Sequence, residues 1–212
     1  NHDFIGNHPG GRRLHQISGK AAHRAAAALL LLTPSIPMLF MGEEFACDSP
    51  FFFFADFEDQ SIRTAVEKGR EREHPQHDWQ KAQGPLSDES FKRSRIGSRE
   101  HGDLETLRWY RKLIDFRKSW KRLGVLGTDH LYASWDGEWN LARLIYTTDS
   151  GEHFVLVRLA SRTEKIEPLT VKIDGQVLLA QNCTRCGEGI GGALYELTEN
   201  SVVLGEGVCE LV

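Results

Sequence analysis

Residues 20–42 read "KAAHRAAAALLLLTPSIPMLFMG", and this stretch decides the fold. Its first part holds no glycine or proline and is dominated by Ala and Leu, the strongest helix formers. The apolar run "AAAALLLL" at 25–32 falls on nearly every side of a helical projection, which predicts a helix buried on more than one face. Pro34 and Pro37 end it. "MLFMG" has strand length and is apolar without alternation, the pattern of a strand covered on both faces. Helix, proline-bounded turn and buried strand together form the repeating unit of a parallel α/β barrel or a doubly wound sheet.

Upstream lies "NHDFIGNHPGGRRL", residues 1–14, which reads as a strand end and a loop. Gly6, Asn7, Pro9, Gly10 and Gly11 are turn formers. Ser18 is placed to cap the helix that runs to about Leu32. Downstream, "PFFFFADF" at 50–57 is a second apolar cluster, expected in the core because an exposed patch of this kind invites aggregation. Residues 58–74 are charged and helical in composition. Residues 75–102 form a long irregular excursion, and such loops in compact domains are commonly functional. Asp103 then caps a helix to about Trp120, with Trp109, Leu113, Phe116 and Trp120 on one stripe.

After Gly124 and Gly127 the patterning changes. "HLYASWDGEWNLARLIY" alternates on both sides of Asp136-Gly137, a hairpin signal. "LTVKIDGQVLL" predicts a second hairpin at Asp174-Gly175, and "HFVLVRL", "ALYEL" and "CELV" add separate strands. Two regions are therefore expected: α/β up to residue 125 and an antiparallel β-sandwich over 126–212.

Composition is ordinary for a globular chain, with 40% hydrophobic and 26% charged residues, and the net charge of -4 gives no reason to expect nucleic acid as a partner. The longest apolar run is too short to span a bilayer. Of four cysteines, only Cys183 and Cys186 in "CTRC" have metal-ligand spacing, and a single C-x-x-C is a weak zinc signal beside the plainer reading of four reduced thiols.

The chemistry centres on His2 and Asp3. An imidazole beside a carboxylate at the C-terminal end of a strand sits where barrel enzymes keep their sites. His2 can donate to a substrate hydroxyl, and Asp3 can hold negative charge beside a developing cation. The plain alternative is a turn whose Asp accepts backbone N–H bonds.

The succession "NHDFIGN", an Arg-containing loop, an Ala/Leu helix and "PSIPMLFMGEEF" resembles the seventh and eighth strands of the alpha-amylase family of glycoside hydrolases, glycoside hydrolase family 13. Within it, "PFFFFADF" and "AVEKGRERE" are similar to segments of the malto-oligosyltrehalose trehalohydrolases. The resemblance covers residues 1–122. It implies a (β/α)8 TIM barrel whose C-terminal part is followed by the β-sandwich. It also implies that Asp3 is the transition-state-stabilising carboxylate, His2 a sugar-hydroxyl ligand and Asn1 the neighbour that orients the pair. Glu43 and Glu44 would then lie on the substrate-binding loop after the eighth strand; otherwise they are solvated loop acids. Asp56 is a weaker sugar-binding candidate. His8 stands where relatives often carry Arg. Arg12 or Arg13 could pair with a carboxylate near the rim, with a plain surface arginine the simpler reading, and phenylalanines 51–54 read as core rather than as a sugar platform.

A retaining glycosidase needs two further carboxyl groups, a nucleophile and a proton donor, about 5–5.5 Å apart. In this family they come from the fourth and fifth strands, ahead of the His-Asp strand, so the rest of the parent chain is expected N-terminal to residue 1. The parent would be a cytoplasmic enzyme that cleaves the α-1,4 bond next to the terminal trehalose of malto-oligosyltrehalose, with no metal or organic cofactor. The 212-residue chain alone would be inactive. Rival readings are an α-glucan branching or debranching enzyme, a non-catalytic carbohydrate-binding module that uses Trp135 and Trp139, and a structural fragment.

Overall fold

The computed structural model describes residues 5–79, 82–97, 102–160 and 167–212. They fall into two compact units: one drawn from Asn1–Lys20 and Met38–Arg108, the other from Ala21–Pro37 and Trp109–Val212.

In the first unit a short helix α1 (Leu14–Ser18) follows the opening loop. A 3-10 turn over Glu43–Phe45 comes next, then α3 (Gln60–Glu73) and α4 (Asp88–Arg93). Asp59 starts α3 by accepting from the Ser61 and Ile62 amides. Ser87 starts α4 by accepting from the Glu89 amide. The expected strand at "MLFMG" is not one: residues 38–40 lie outside any strand, and Met38 and Met41 are 66% and 44% exposed. A strand needs a ladder. Here the Phe40 amide donates to Glu43 Oε2 at 2.9 Å and the Glu43 amide to the Phe40 carbonyl at 3.0 Å, so the segment closes a tight turn on itself.

Of phenylalanines 51–54, expected in the core, only Phe52 is buried; Phe51 and Phe53 are half-buried and Phe54 is 39% exposed. Phe52 is buried beneath the Arg93 guanidinium, 4.9 Å from its ring centre. Phe40, Phe51, Phe54 and Phe91 form an edge-to-face chain at 4.8, 5.9 and 5.3 Å, the geometry that aromatic quadrupoles favour.

The second unit packs the remainder of helix α2 (Lys20–Leu32) and of α5 (Leu104–Arg122), from Ala21 and Trp109 onward, on an antiparallel sheet of order β1-β2-β3-β5-β4. Its strands are β1 (Leu131–Asp136), β2 (Leu141–Thr148), β3 (Gly151–Arg158), β4 (Leu169–Gly189) and β5 (Gly192–Leu211). As the Ala/Leu run predicts, Ala25, Ala27, Ala28, Leu31 and Leu32 are all buried. Alternation along β3 sorts its residues between two cores: Val155 and Val157 join Leu31, Trp109 and Leu113, while Phe154 and Leu156 join Leu141, Val171 and Val203. Both faces of this strand are therefore covered.

β4 and β5 form one long hairpin that doubles back. Lys172 is in register with both Leu194 and Glu210, so the first part of β4 is paired with residues 193–197 as well as with residues 209–211. The Asp136-Gly137 hairpin is present between β1 and β2, with Asp136 accepting from the Glu138 and Trp139 amides. The hairpin expected at Asp174-Gly175 is absent: β4 runs straight through, paired to Val208 and Gly207. The turn lies instead at Ile190 and Gly191. "ALYEL" and "CELV", expected as separate strands, are both parts of β5.

Cys183 and Cys186 lie on β4. Three residues of extended chain separate their Cα atoms by roughly 10 Å, beyond the about 7 Å that a disulfide spans. Among the described residues no group of three or more His, Cys, Asp or Glu could hold a metal ion.

Candidate active site

Asn1, His2 and Asp3 lie outside the described residues. The loop that follows them, residues 5–13, is described, and its conformation is fixed from three directions.

The first is its glycine. Gly11 has φ +64, and a Cβ there would lie 3.0 Å from Pro50 Cβ, so a side chain would be both strained by the backbone conformation and crowded. The close approach lets the Phe51 amide donate to the Gly11 carbonyl at 2.8 Å. The second is Arg13. Expected as a surface residue, it is 2% exposed. Its Nε donates to the Ser49 carbonyl at 2.6 Å and its Nη1 to the Met41 carbonyl at 2.8 Å, so one guanidinium ties residue 13 to both ends of the 41–49 loop. Burial holds its pKa below the ordinary arginine value, against the charges of Cys47, Glu43 and Glu44.

The third is Arg70, in the "GRERE" end of α3. Its Nη2 donates to the Gly6 carbonyl at 3.0 Å and to Asn7 Oδ1 at 2.7 Å. The guanidinium lies 4.4 Å from the Phe53 ring centre and 5.8 Å from that of Trp79, within cation–π range. Trp79 is itself fixed, its indole N–H donating to the His74 carbonyl at 2.7 Å. These groups, with His8, Glu67 and Glu71, line a cavity of about 240 Å³. It offers aromatic surface, carboxylates and an imidazole, a set suited to a polyhydroxylated ring. Phe53 therefore belongs to a cavity wall as well as to the packing.

His8 has a donor facing each ring nitrogen: the Gly10 amide lies 3.0 Å from Nδ1 and Arg12 Nε 3.2 Å from Nε2. Burial lowers its pKa first, then the charges of Arg12 and His77. These causes disfavour the charged ring, and a neutral imidazole accepts from only one of the two donors at a time.

Of the sequence candidates in this unit, Glu43 and Glu44 both fall on the 3-10 turn after "MLFMG". Glu43 spends Oε2 on the Phe40 amide, which assigns it a part in shaping the turn. Asp56 is an exposed partner of Arg63 at 3.0 Å. No local pattern marks Arg70 or Trp79 as functional; the "GR" pair at 69–70 carries only the family resemblance.

No family model matches the chain. It is 40% identical over 120 residues to a malto-oligosyltrehalose trehalohydrolase of Saccharolobus solfataricus, covering 57% of this chain and 20% of that protein. Proteins of the same name from Deinococcus radiodurans and Mycobacterium tuberculosis are 34% and 31% identical, covering 78% and 84% of this chain. The chain spans 20–30% of the length of these relatives. Among solved structures, a putative alpha-amylase from Salmonella typhimurium superposes with a TM-score of 0.72 at 25% identity, covering 98% of this chain and 34% of its own. An alpha-amylase from H. orenii has the same fold at a TM-score of 0.53 and 16% identity, covering 89% of this chain and 36% of its own. By sequence, then, the chain is similar to malto-oligosyltrehalose trehalohydrolases, and by fold to alpha-amylases.

Proposed function

We propose that the whole protein is a retaining glycoside hydrolase of family 13, located in the cytoplasm, that cleaves the α-1,4-glucosidic bond next to the terminal trehalose of malto-oligosyltrehalose and releases trehalose. The observation that carries this is the shared name of the relatives, from 40% identity over 120 residues to 31% over 188. In this reading residues 1–125 are the C-terminal part of the catalytic barrel and 126–212 the domain that follows it. Asp3 steadies the oxocarbenium-like transition state electrostatically. His2 binds a sugar hydroxyl, Asn1 orients the pair, and Glu44 with Glu43 borders the substrate loop. The nucleophile and the proton donor lie on an N-terminal segment of the parent chain. Cleavage then needs no cofactor: the carboxyl groups supply both proton transfer and covalent catalysis.

Product analysis tests the reading. The intact enzyme, given malto-oligosyltrehalose, is expected to release free trehalose and the shortened maltodextrin. Transfer of glucan to new branch points, or activity on glycogen with no trehalose formed, would assign it instead to the branching or debranching enzymes.

A further inference from the structure

We propose that the cavity between the opening loop, helix α3 and the start of the irregular excursion binds one glucosyl ring of the α-glucan substrate, with Trp79 as its stacking surface and Glu67 and Glu71 as acceptors for its hydroxyls. The inference rests on the reading of the whole protein as a glycosidase of malto-oligosyltrehalose.

The cavity holds about 240 Å³. That is just below the roughly 300–1,000 Å³ of sites for drug-sized ligands, a size for a single sugar ring. Its walls are fixed by the protein itself. Trp79 is held by its indole N–H, which donates to the His74 carbonyl at 2.7 Å. The Pro85 carbonyl accepts from the Ala55 amide at 3.0 Å, which ties the far wall to the phenylalanine segment. Glu67 and Glu71 stand four residues apart on α3 and so share one side of the helix. Both are exposed, and neither carboxylate has an ion-pair partner among the described residues.

Charge selects the class of ligand. Arg70 Nη2 is already committed to the Gly6 carbonyl and to Asn7 Oδ1, and its Nε is buried. The guanidinium therefore offers no two-pronged clamp to an anion. Two carboxylates against one committed guanidinium, beside a His8 ring whose charged form burial disfavours, repel phosphates and other anions. A neutral polyol meets no such barrier. The C–H face of a pyranose packs on an indole ring, and its hydroxyls donate charge-assisted hydrogen bonds to carboxylates.

The test uses the intact enzyme in the variants Trp79→Ala, Trp79→Phe and the double variant Glu67→Gln with Glu71→Gln. On malto-oligosyltrehalose, Trp79→Ala is expected to raise KM at least about five-fold with kcat within about two-fold, the mark of lost ground-state binding. Trp79→Phe keeps an aromatic face and should recover most of the loss; a variant as impaired as Trp79→Ala would remove the stacking role. The double variant keeps shape and deletes charge, and should raise KM by a similar factor. Thermal unfolding gives a readout apart from activity: maltotetraose should stabilise the wild type more than Trp79→Ala, while magnesium chloride and sodium phosphate should act equally on both. Wild-type KM in Trp79→Ala overturns the inference. So does a lower kcat at unchanged KM, or a stabilisation by magnesium or phosphate that Trp79→Ala abolishes. Should Trp79→Ala not fold, the double variant, altered only at exposed positions, decides, and an unchanged KM there overturns the inference. If the wild type releases trehalose while Trp79→Ala matches it, this inference alone fails. If the wild type releases none, the reading of the enzyme fails, and the maltotetraose arm decides whether the cavity takes glucosyl rings.

Discussion

Arg13 shows how a single residue can brace a functional loop. Its guanidinium is sealed from solvent and donates to two carbonyls that lie 28 and 36 positions further along the chain. Removing it leaves both acceptors without their charged donor. Hydrogen bonds to charged groups contribute about 1.5–3 kcal/mol each, so Arg13→Met in the intact enzyme is expected to cost about 2–4 kcal/mol in denaturant unfolding; a change below about 0.5 kcal/mol would contradict the arrangement. Nothing near residue 13 in sequence announces this role. A loop arginine is exposed by default, and the partners that bury it come from the 41–49 loop. Asp59 is the opposite case. Its side chain accepts from the Ser61 and Ile62 amides, partners two and three residues away.

At the scale of elements, local patterns held where the chain supplied the partner they needed. The Ala/Leu helix and the Asp136-Gly137 hairpin are both present because each is closed by neighbours a few residues away or by a core that its own face demands. "MLFMG" reads as a strand, yet without a ladder it turns on itself through Glu43. Asp174-Gly175 reads as a turn because that dipeptide tolerates positive φ. Gly175 indeed has φ +152, but it serves the continuous strand: a Cβ there would fall 2.0 Å from the Glu206 carbonyl oxygen. The glycine is needed for close approach of two backbones, a use that sequence alone cannot tell from a turn. Gly175→Ala is accordingly expected to destabilise by well over the about 1 kcal/mol of an ordinary Gly–Ala difference. Gly69 makes the contrast. It sits within α3 and a Cβ there would meet nothing within 4 Å, so Gly69→Ala should raise stability by about 0.5–1 kcal/mol. Thermal unfolding of the two variants, side by side, checks both signs.

For the molecule as a whole, pH and catalysis give the broadest tests. His8 and His15 both have pKa values held below 6.5, burial being the largest cause in each. The unfolded chain therefore binds more protons than the folded one as pH falls. Their contribution is complete above pH 6.5 and is lost as pH drops through and below that value, so the unfolding temperature should fall from pH 7 to pH 5 and His8→Gln should flatten the decline. An unaltered slope in the variant would contradict it. The Ala/Leu helix and the all-β region were legible from periodicity, whereas the His-Asp motif lies outside the described residues. The Arg70 clamp was not legible, because it joins residues 63 and 64 positions apart and no local pattern encodes such a meeting. The most direct test of the central claim is steady-state kinetics of Asp3→Asn in the intact enzyme on malto-oligosyltrehalose. The variant keeps the shape and deletes the charge, so kcat for trehalose release should fall by at least roughly 10²–10³ with KM little changed; a kcat equal to that of the wild type would contradict the account.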